Sequence, residues 1–275
     1  MGYCYFQGSV VKESEVSFPI HNLGITRGFG VFDFFRMRKG NYCFLQDHLD
    51  RFERSQKFMQ LSAIISQDEI RGAIDALSER NKYKDAGFKL FLFGDGKETD
   101  EKLSPLFYIT HTNLNNHTSE TYARVILHEY TREYAEIKSV NYFTSNILHY
   151  KRVKAGAIDI IYHKDNQISE ASRSNVFIVK DGILSTPKDH ILEGITRKSV
   201  LQFAPQVIET RIGPISIQDF RHADEVFICS TLKEICPIVE VDGALIGKGK
   251  VGPITRKINQ LFQEKIKGEF IPITG

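Results

Sequence analysis

One polar stretch constrains the folding of this chain more than any other feature. Residues 112–120, TNLNNHTSE, hold almost no apolar side chain, while the sequence on either side is a succession of short apolar runs. A core cannot be built through such a stretch, so it marks a linker at 114–121 between two domains, 1–113 and 122–275. Each half is long enough to bury a core of its own.

Patterning within the halves gives the elements. GYCYFQGSV reads as a strand and a turn, and GVFDFFRMRKGNYCFL as two strands joined by a hairpin at Arg38-Lys39-Gly40-Asn41. In DHLDRFERSQKFMQL, Leu49, Phe52 and Met59 fall on one helical face, and Asp50, Glu53 and Lys57 fall away from it. A second helix is predicted over SQDEIRGAIDALSERNKY, capped by Ser66, and strands FKLFLFG and PLFYITHT follow, separated by the charged loop DGKETDEK. The second half opens with the strand YARVILHEY and continues with a helix over YFTSNILHYKRVKAG and strands AIDIIYH and SNVFIVKDGIL. It closes with a helix TRKSVLQFA after Gly194, strands around EVFICST and PIVEVDG, and a helix ITRKINQLFQEKI after Pro253. Strands and helices mix without strict alternation, which predicts an α+β fold rather than a doubly wound parallel sheet.

Composition narrows the class of function. With 41% hydrophobic and 25% charged residues the chain is an ordinary globular one. Its 36 basic residues nearly balance 34 acidic ones and form no basic block, which argues against nucleic acid as a partner. No apolar run approaches the roughly 20 residues of a membrane-spanning helix, and the N-terminal segment lacks the pattern of a signal peptide. Cys4, Cys43, Cys229 and Cys236 form no CxxC pair and have no histidine at zinc-finger spacing. They are expected to be buried thiols in a reducing, cytoplasmic setting, with no metal.

Four places hold residue types that do chemistry. Lys138, in IKSVNYFTSNIL, falls at the end of a strand just before a helix, where the backbone can aim an amine rigidly. Most lysines are simply solvated, and Lys151 and Lys154 in HYKRVKAG have that character. Glu170, in QISEASRSNVF, falls between two strands. Gly194, Ile195 and Thr196, in ILEGITRKSVL, can form an anion cup at a helix N-terminus, although the same pattern also makes an ordinary cap. Thr231, in EVFICSTLKEICPI, is a strand-end hydroxyl open to the same two interpretations.

Taken together, IKSVNY, ISEASRSNVFIVKDGILSTP, ILEGITRKSVL and STLKEICPIVEVDG, preceded by RGFGVFDFFRMRKG and HLDRFERS, resemble in order and spacing the fold-type IV enzymes that use pyridoxal 5′-phosphate (PLP). That group holds the branched-chain and D-amino-acid aminotransferases and aminodeoxychorismate lyase. The resemblance implies PLP between two α+β domains, with Lys138 as the Schiff-base lysine and Glu170 at the pyridine nitrogen. It implies Tyr142 near the phenolic oxygen, Arg51, Ile195, Thr196 and Thr231 around the phosphate, and Phe32 in the pocket wall. A homodimer is implied as well, its neighbouring subunit closing the substrate pocket. The implied reaction moves an amino group between an amino acid, branched-chain L- or D-, and a 2-oxo acid. The alternatives are a 4-amino-4-deoxychorismate lyase, giving 4-aminobenzoate and pyruvate, and a PLP-binding protein without turnover. Retention of both Lys138 and Glu170 argues against the last.

Two departures from the family pattern concern the substrate. D-amino-acid aminotransferases of the familiar type carry an Arg-x-His pair after the strand near residue 90, where this chain reads FLFGDGKETDEK. Branched-chain enzymes place Tyr-x-Arg at the start of that strand, where this chain reads Gly87-Phe88-Lys89. Lys89 keeps the charge but not the bidentate fork. Arg27, in ITRGFG, resembles by its place a position that lines the pocket in relatives, where it is contributed from across the dimer. Arg27 and Lys89 are therefore expected to bind substrate carboxylates, with Arg36 as a further candidate.

Overall fold

The computed structural model describes residues 2–97, 99–114, 122–268 and 270–272, so the expected linker at 114–121 lies outside the described residues from position 115 onward. In chain order the first half forms β1 (Tyr3–Phe6), β2 (Ser9–Lys12), α1 (Leu23–Arg27), β3 (Gly30–Arg38), β4 (Asn41–Cys43), α2 (Leu45–Met59), α3 (Gln67–Asn81), β5 (Ala86–Asp95) and β6 (Ser104–Asn113). The second half forms β7 (Ala123–Glu129), α4 (Phe143–Ile147), α5 (His149–Lys154), β8 (Asp159–Lys164), β9 (Gln167–Ala171), β10 (Asn175–Lys180) and β11 (Ile183–Thr186). It continues with α6 (Ile195–Phe203), β12 (Glu209–Ile212), α7 (Ile217–Arg221), β13 (Glu225–Ser230), β14 (Glu234–Val241), β15 (Ala244–Leu245) and α8 (Pro253–Gly268), and β16 (Phe270–Pro272) is the last described element.

Backbone contacts divide these elements into two units. One is Met1–His117 with Ile137–Asn141 and Glu269–Gly275; the other is Thr118–Glu136 with Tyr142–Gly268. The first unit holds a seven-stranded sheet in the order β16-β4-β3-β5-β6-β1-β2, antiparallel throughout. Lys39 and Gly40 both take positive φ between β3 and β4, the conformation a two-residue hairpin turn requires. Leu49, Phe52 and Met59 of α2 are buried, as their spacing predicts, and pack with Ile70, Ile74 and Leu77 of α3 against Phe35 and Phe88 of the sheet. Each such side chain contributes roughly 1.5–3 kcal/mol on burial. The Ser66 side chain caps α3 by accepting from Glu69 N at 3.1 Å.

The second unit holds a nine-stranded sheet in the order β12-β11-β10-β13-β14-β7-β8-β9, with β15 paired to β14. The pairs β11/β12, β14/β7 and β7/β8 are parallel and the others antiparallel. This mixture gives the α+β class that the unalternated pattern predicts. Three local expectations are refined. The helix predicted over 142–156 is two short ones that meet at Leu148 (ψ 0°), since its first turns are built from Phe, Thr, Ser, Asn and Ile, weak helix formers. SNVFIVKDGIL is a hairpin, β10 and β11, turning on Asp181 and Gly182 at positive φ. Glu170 lies within β9 rather than between strands. Among the described residues no helix is long and apolar enough to cross a membrane.

Candidate active site

In the first unit, residues 137–141 lie against the start of β3. Ser139 forms an antiparallel bridge with Val31, Phe32 N donates to Lys138 O at 2.9 Å, and Val140 N donates to Gly30 O at 3.0 Å. These backbone bonds hold the half-buried Lys138 in place. Its Nζ sits 4.6 Å from the centroid of the Phe32 ring. Lys89 Nζ sits 4.7 Å from the same ring and 4.6 Å from that of Phe91. Phe32 and Phe91 face each other in the β3/β5 register and stack at 6.0 Å, so one aromatic surface carries two ammonium groups.

The same strand buries a carboxylate. Asp33 Oδ2 accepts from Arg51 Nε at 2.8 Å, and Oδ1 accepts from Arg51 Nη2 at 2.8 Å and from Phe34 N at 2.7 Å. His48 Nδ1 lies 2.7 Å from Oδ1. His48 and Arg51 are one turn apart on the buried face of α2, which is why both reach one acid. Burial by itself would raise the Asp33 carboxyl, but the Arg51 guanidinium and His48 hold it well below the usual carboxylate range. Burial pushes His48 down, the charges of Arg51 and Lys138 add to that, and Asp33 opposes it. Arg36 is buried in β3, and Arg27 is exposed at the end of α1.

In the second unit, buried Glu170 accepts from Arg132 Nε at 2.9 Å on Oε1 and from Leu192 N at 2.8 Å on Oε2. Arg132 also donates to Ala135 O. Burial pushes the half-buried Tyr142 hydroxyl up to about 12, with Arg132 and Arg173 opposing and Glu170 and Asp159 adding. The N-terminus of α6 has Gly194 as its cap, no side-chain cap and no acid in its first turn, and Ile195 and Thr196 are buried there. Asn175 Nδ2 donates to Leu192 O at 2.8 Å, and a Cβ on residue 194 would fall 2.0 Å from Asn175 Oδ1. Only glycine lets that helix start so close to β10. Half-buried Thr231 follows β13 in the turn to β14. The same turn is tied down by Lys233, whose Nζ donates to buried Asp159 at 3.0 Å, while Ser172 and Ser174 donate to that carboxylate at 2.6 and 3.1 Å. Burial raises the Asp159 carboxyl, but Lys233 and the Ser172 hydroxyl bring it below its ordinary value.

The Amino-transferase class IV family model matches residues 30–241, well over half of the chain. This chain belongs to the class IV aminotransferases. The aminotransferase is 29% identical over 270 residues to the D-alanine aminotransferase of Listeria monocytogenes serotype 4b, covering 94% of this chain and 93% of the relative. It is also 29% identical over 274 residues to a putative branched-chain-amino-acid aminotransferase of Methanocaldococcus jannaschii, covering 94% and 95%. Among solved structures, the branched-chain amino acid aminotransferase from Escherichia coli matches at a TM-score of 0.87 with 26% identity, over 100% of this chain and 97% of that one. The branched-chain amino acid aminotransferase from Thermobaculum terrenum, solved in its PLP-bound holo form, shares the fold at a TM-score of 0.86 with 23% identity, over 99% of this chain and 98% of that one.

Within its first unit the aminotransferase brings together Lys138, Phe32 and Lys89, and gives Arg51 to Asp33 and His48. Within its second unit Glu170 and Tyr142 share the field of Arg132, while Ile195 and Thr196 open α6 and Thr231 ends β13. Sequence reasoning missed Asp33, His48, Arg132, Asp159 and Lys233. An acid in the middle of the apolar run GVFDFF, followed by His48 and Arg51 at helical spacing, was a usable signal for the first two. Nothing in the sequence flagged Arg132.

Proposed function

We propose that this aminotransferase carries PLP on Lys138 and moves the amino group of an apolar, branched-chain amino acid to a 2-oxo acid, with Lys89 receiving a substrate carboxylate. The observation that carries the proposal is the aromatic surface of Phe32 and Phe91 with the amines of Lys138 and Lys89 both within 4.7 Å of a ring centroid, the first assigned to reaction and the second to recognition. The apolar wall suits an aliphatic side chain, and the branched-chain relatives agree with it.

The residues present fit the cofactor. The α6 N-terminus, uncapped by any side chain and free of acids in its first turn, suits a phosphate, and Ile195, Thr196 and Thr231 hold it there. Glu170, fixed by Arg132 and the Leu192 amide, would hold the pyridine nitrogen of the cofactor. When bound, PLP supplies an electron-withdrawing ring that takes up negative charge from the substrate α-carbon. Lys138 Nζ would be the group that takes the proton from that carbon. Tyr142, whose hydroxyl burial pushes up to about 12, stays protonated at neutral pH and donates to the phenolic oxygen. Phe32 and Phe91 keep water from the reacting carbon.

The enzyme acts as a homodimer in the cytoplasm. Exposed Ile20, Ile25 and Phe29 surround Arg27 in sequence, a combination suited to a second copy whose pocket receives the guanidinium. The four cysteines are buried thiols, in keeping with a reducing compartment.

Adding amino acids singly to the yellow holoenzyme tests the donor. Bleaching by L-leucine or L-valine is expected; bleaching by D-alanine alone replaces the proposal with the D-amino-acid reading that the Listeria relative favours. A protein that takes up no PLP, or one that borohydride tags at a lysine other than Lys138, removes the proposal. Sedimentation gives the oligomeric state, and Arg27→Ala should raise the Michaelis constant for the donor.

A further inference from the structure

We propose that Arg197 is a positioning residue for the cofactor phosphate: a buried guanidinium without a carboxylate partner among the described residues, its charge is balanced by the dianion bound at the start of α6. The inference rests on the assignment of that phosphate to Ile195 and Thr196.

Arg197 is the third residue of α6 and only 8% exposed. Its Nε donates to Thr186 Oγ1 at 3.2 Å and its Nη2 to Pro187 O at 2.9 Å. Thr186 Oγ1 itself donates to Val176 O at 2.8 Å, so its lone pairs face the guanidinium. Both acceptors are neutral. The acidic groups that act on Arg197 are Cys229 and Glu193. Burial pushes the Cys229 thiol up to about 12, so it carries no charge at neutral pH, and Glu193 is exposed to solvent. A guanidinium does not shed its proton to escape burial, so the fold carries a cation there whose hydrogen-bond partners are neutral and whose one charged acidic neighbour, Glu193, is screened by solvent.

Its place on the helix sharpens the point. The N-terminal turn of a helix is already positive, and a cation there is unfavourable. The sequence puts no acid in the first turn of α6 and no side chain on the cap. Positive potential is therefore concentrated where the amides of Ile195 and Thr196 open. A phosphate dianion relieves both terms together, whereas a neutral ligand relieves neither.

Two cofactors that differ only in the phosphate separate this role from simple packing. The apoprotein is titrated with PLP and with pyridoxal in wild type, Arg197→Met, Arg197→Lys and Thr196→Ala, and its melting temperature is recorded with and without inorganic phosphate. Arg197→Met should weaken PLP by about tenfold or more and leave pyridoxal within about twofold, since the lost term is electrostatic. Arg197→Lys should keep most of the preference. Inorganic phosphate should raise the melting temperature of wild type more than that of Arg197→Met. Equal weakening of PLP and pyridoxal, or unchanged PLP binding, overturns the inference. Should Arg197→Met fail to fold, Arg197→Gln, which keeps an amide donor toward Thr186, is read in the same way. If Thr196→Ala lowers the preference for PLP over pyridoxal and the Arg197 variants do not, only the role of Arg197 falls. If neither changes it, the phosphate does not sit on α6.

Discussion

Asp33 is a fully buried acid paired with Arg51 and His48 in the first unit, and Asp33→Asn tests that pairing. The substitution keeps the shape and removes the charge. In the native protein the carboxylate, itself out of contact with water, accepts from two nitrogens of Arg51 at 2.8 Å and from the Phe34 amide at 2.7 Å, and contacts His48 Nδ1 at 2.7 Å. In the variant an amide NH2 must face a guanidinium or surrender one of its acceptor places, and Arg51 is left as a buried cation without a counter-ion. Breaking one side of a buried ion pair costs about 3–5 kcal/mol. Urea denaturation of the apoprotein, followed by far-UV circular dichroism, should show a loss of that size. Arg51→Met combined with Asp33→Asn should be far less unstable than the two single losses added together, because no unpaired charge remains. The pH dependence has a definite sign. The Asp33 carboxyl lies below its ordinary value, so its stabilisation is complete above about pH 4 and is lost as pH falls through the folded value. Additive single and double variants, or a loss below about 1 kcal/mol, would show that Asp33 and Arg51 are not coupled as the geometry requires.

Three other perturbations have defined outcomes. His111 stacks on Phe88 at 4.1 Å in the core, and burial pushes it down to about 4. Stability should therefore be complete above pH 6.5 and fall by as much as roughly 3 kcal/mol as pH drops toward 4; urea midpoints at pH 7 and pH 5 should converge in His111→Phe. Gly194→Ala puts a Cβ 2.0 Å from Asn175 Oδ1, which must release Leu192 O and disturb the segment whose amide holds Glu170. It should cost about 1–3 kcal/mol and weaken PLP retention, with Asn175→Ala restoring part of both; unchanged cofactor titration would refute the close approach. Lys233→Met strands Asp159 as a buried anion and should cost about 3 kcal/mol, while the Asp159→Asn, Lys233→Met double variant should be closer to wild type than Lys233→Met alone in chemical denaturation.

What the sequence determined by itself is local. The Lys39-Gly40 turn, the Ser66 cap, the buried stripe of α2 and the opening of α6 after Gly194 each depend on residues a few places apart, so neighbours along the chain suffice to specify them. Motif order was legible too, and led to the family whose model matches residues 30–241. Tertiary structure decided which distant groups meet. Residues 137–141 fall in the sequence of the second half, yet their backbone bonds are to Gly30 and Phe32, which puts the amine of Lys138 on the Phe32 ring. Asp33 meets Arg51 only because α2 crosses β3 with that face inward, and Glu170 meets Arg132 across 38 residues. Periodicity reports which face of an element is apolar. It does not report which strand edge or which buried ion will be its neighbour, because that is settled by long-range packing of one whole surface against another.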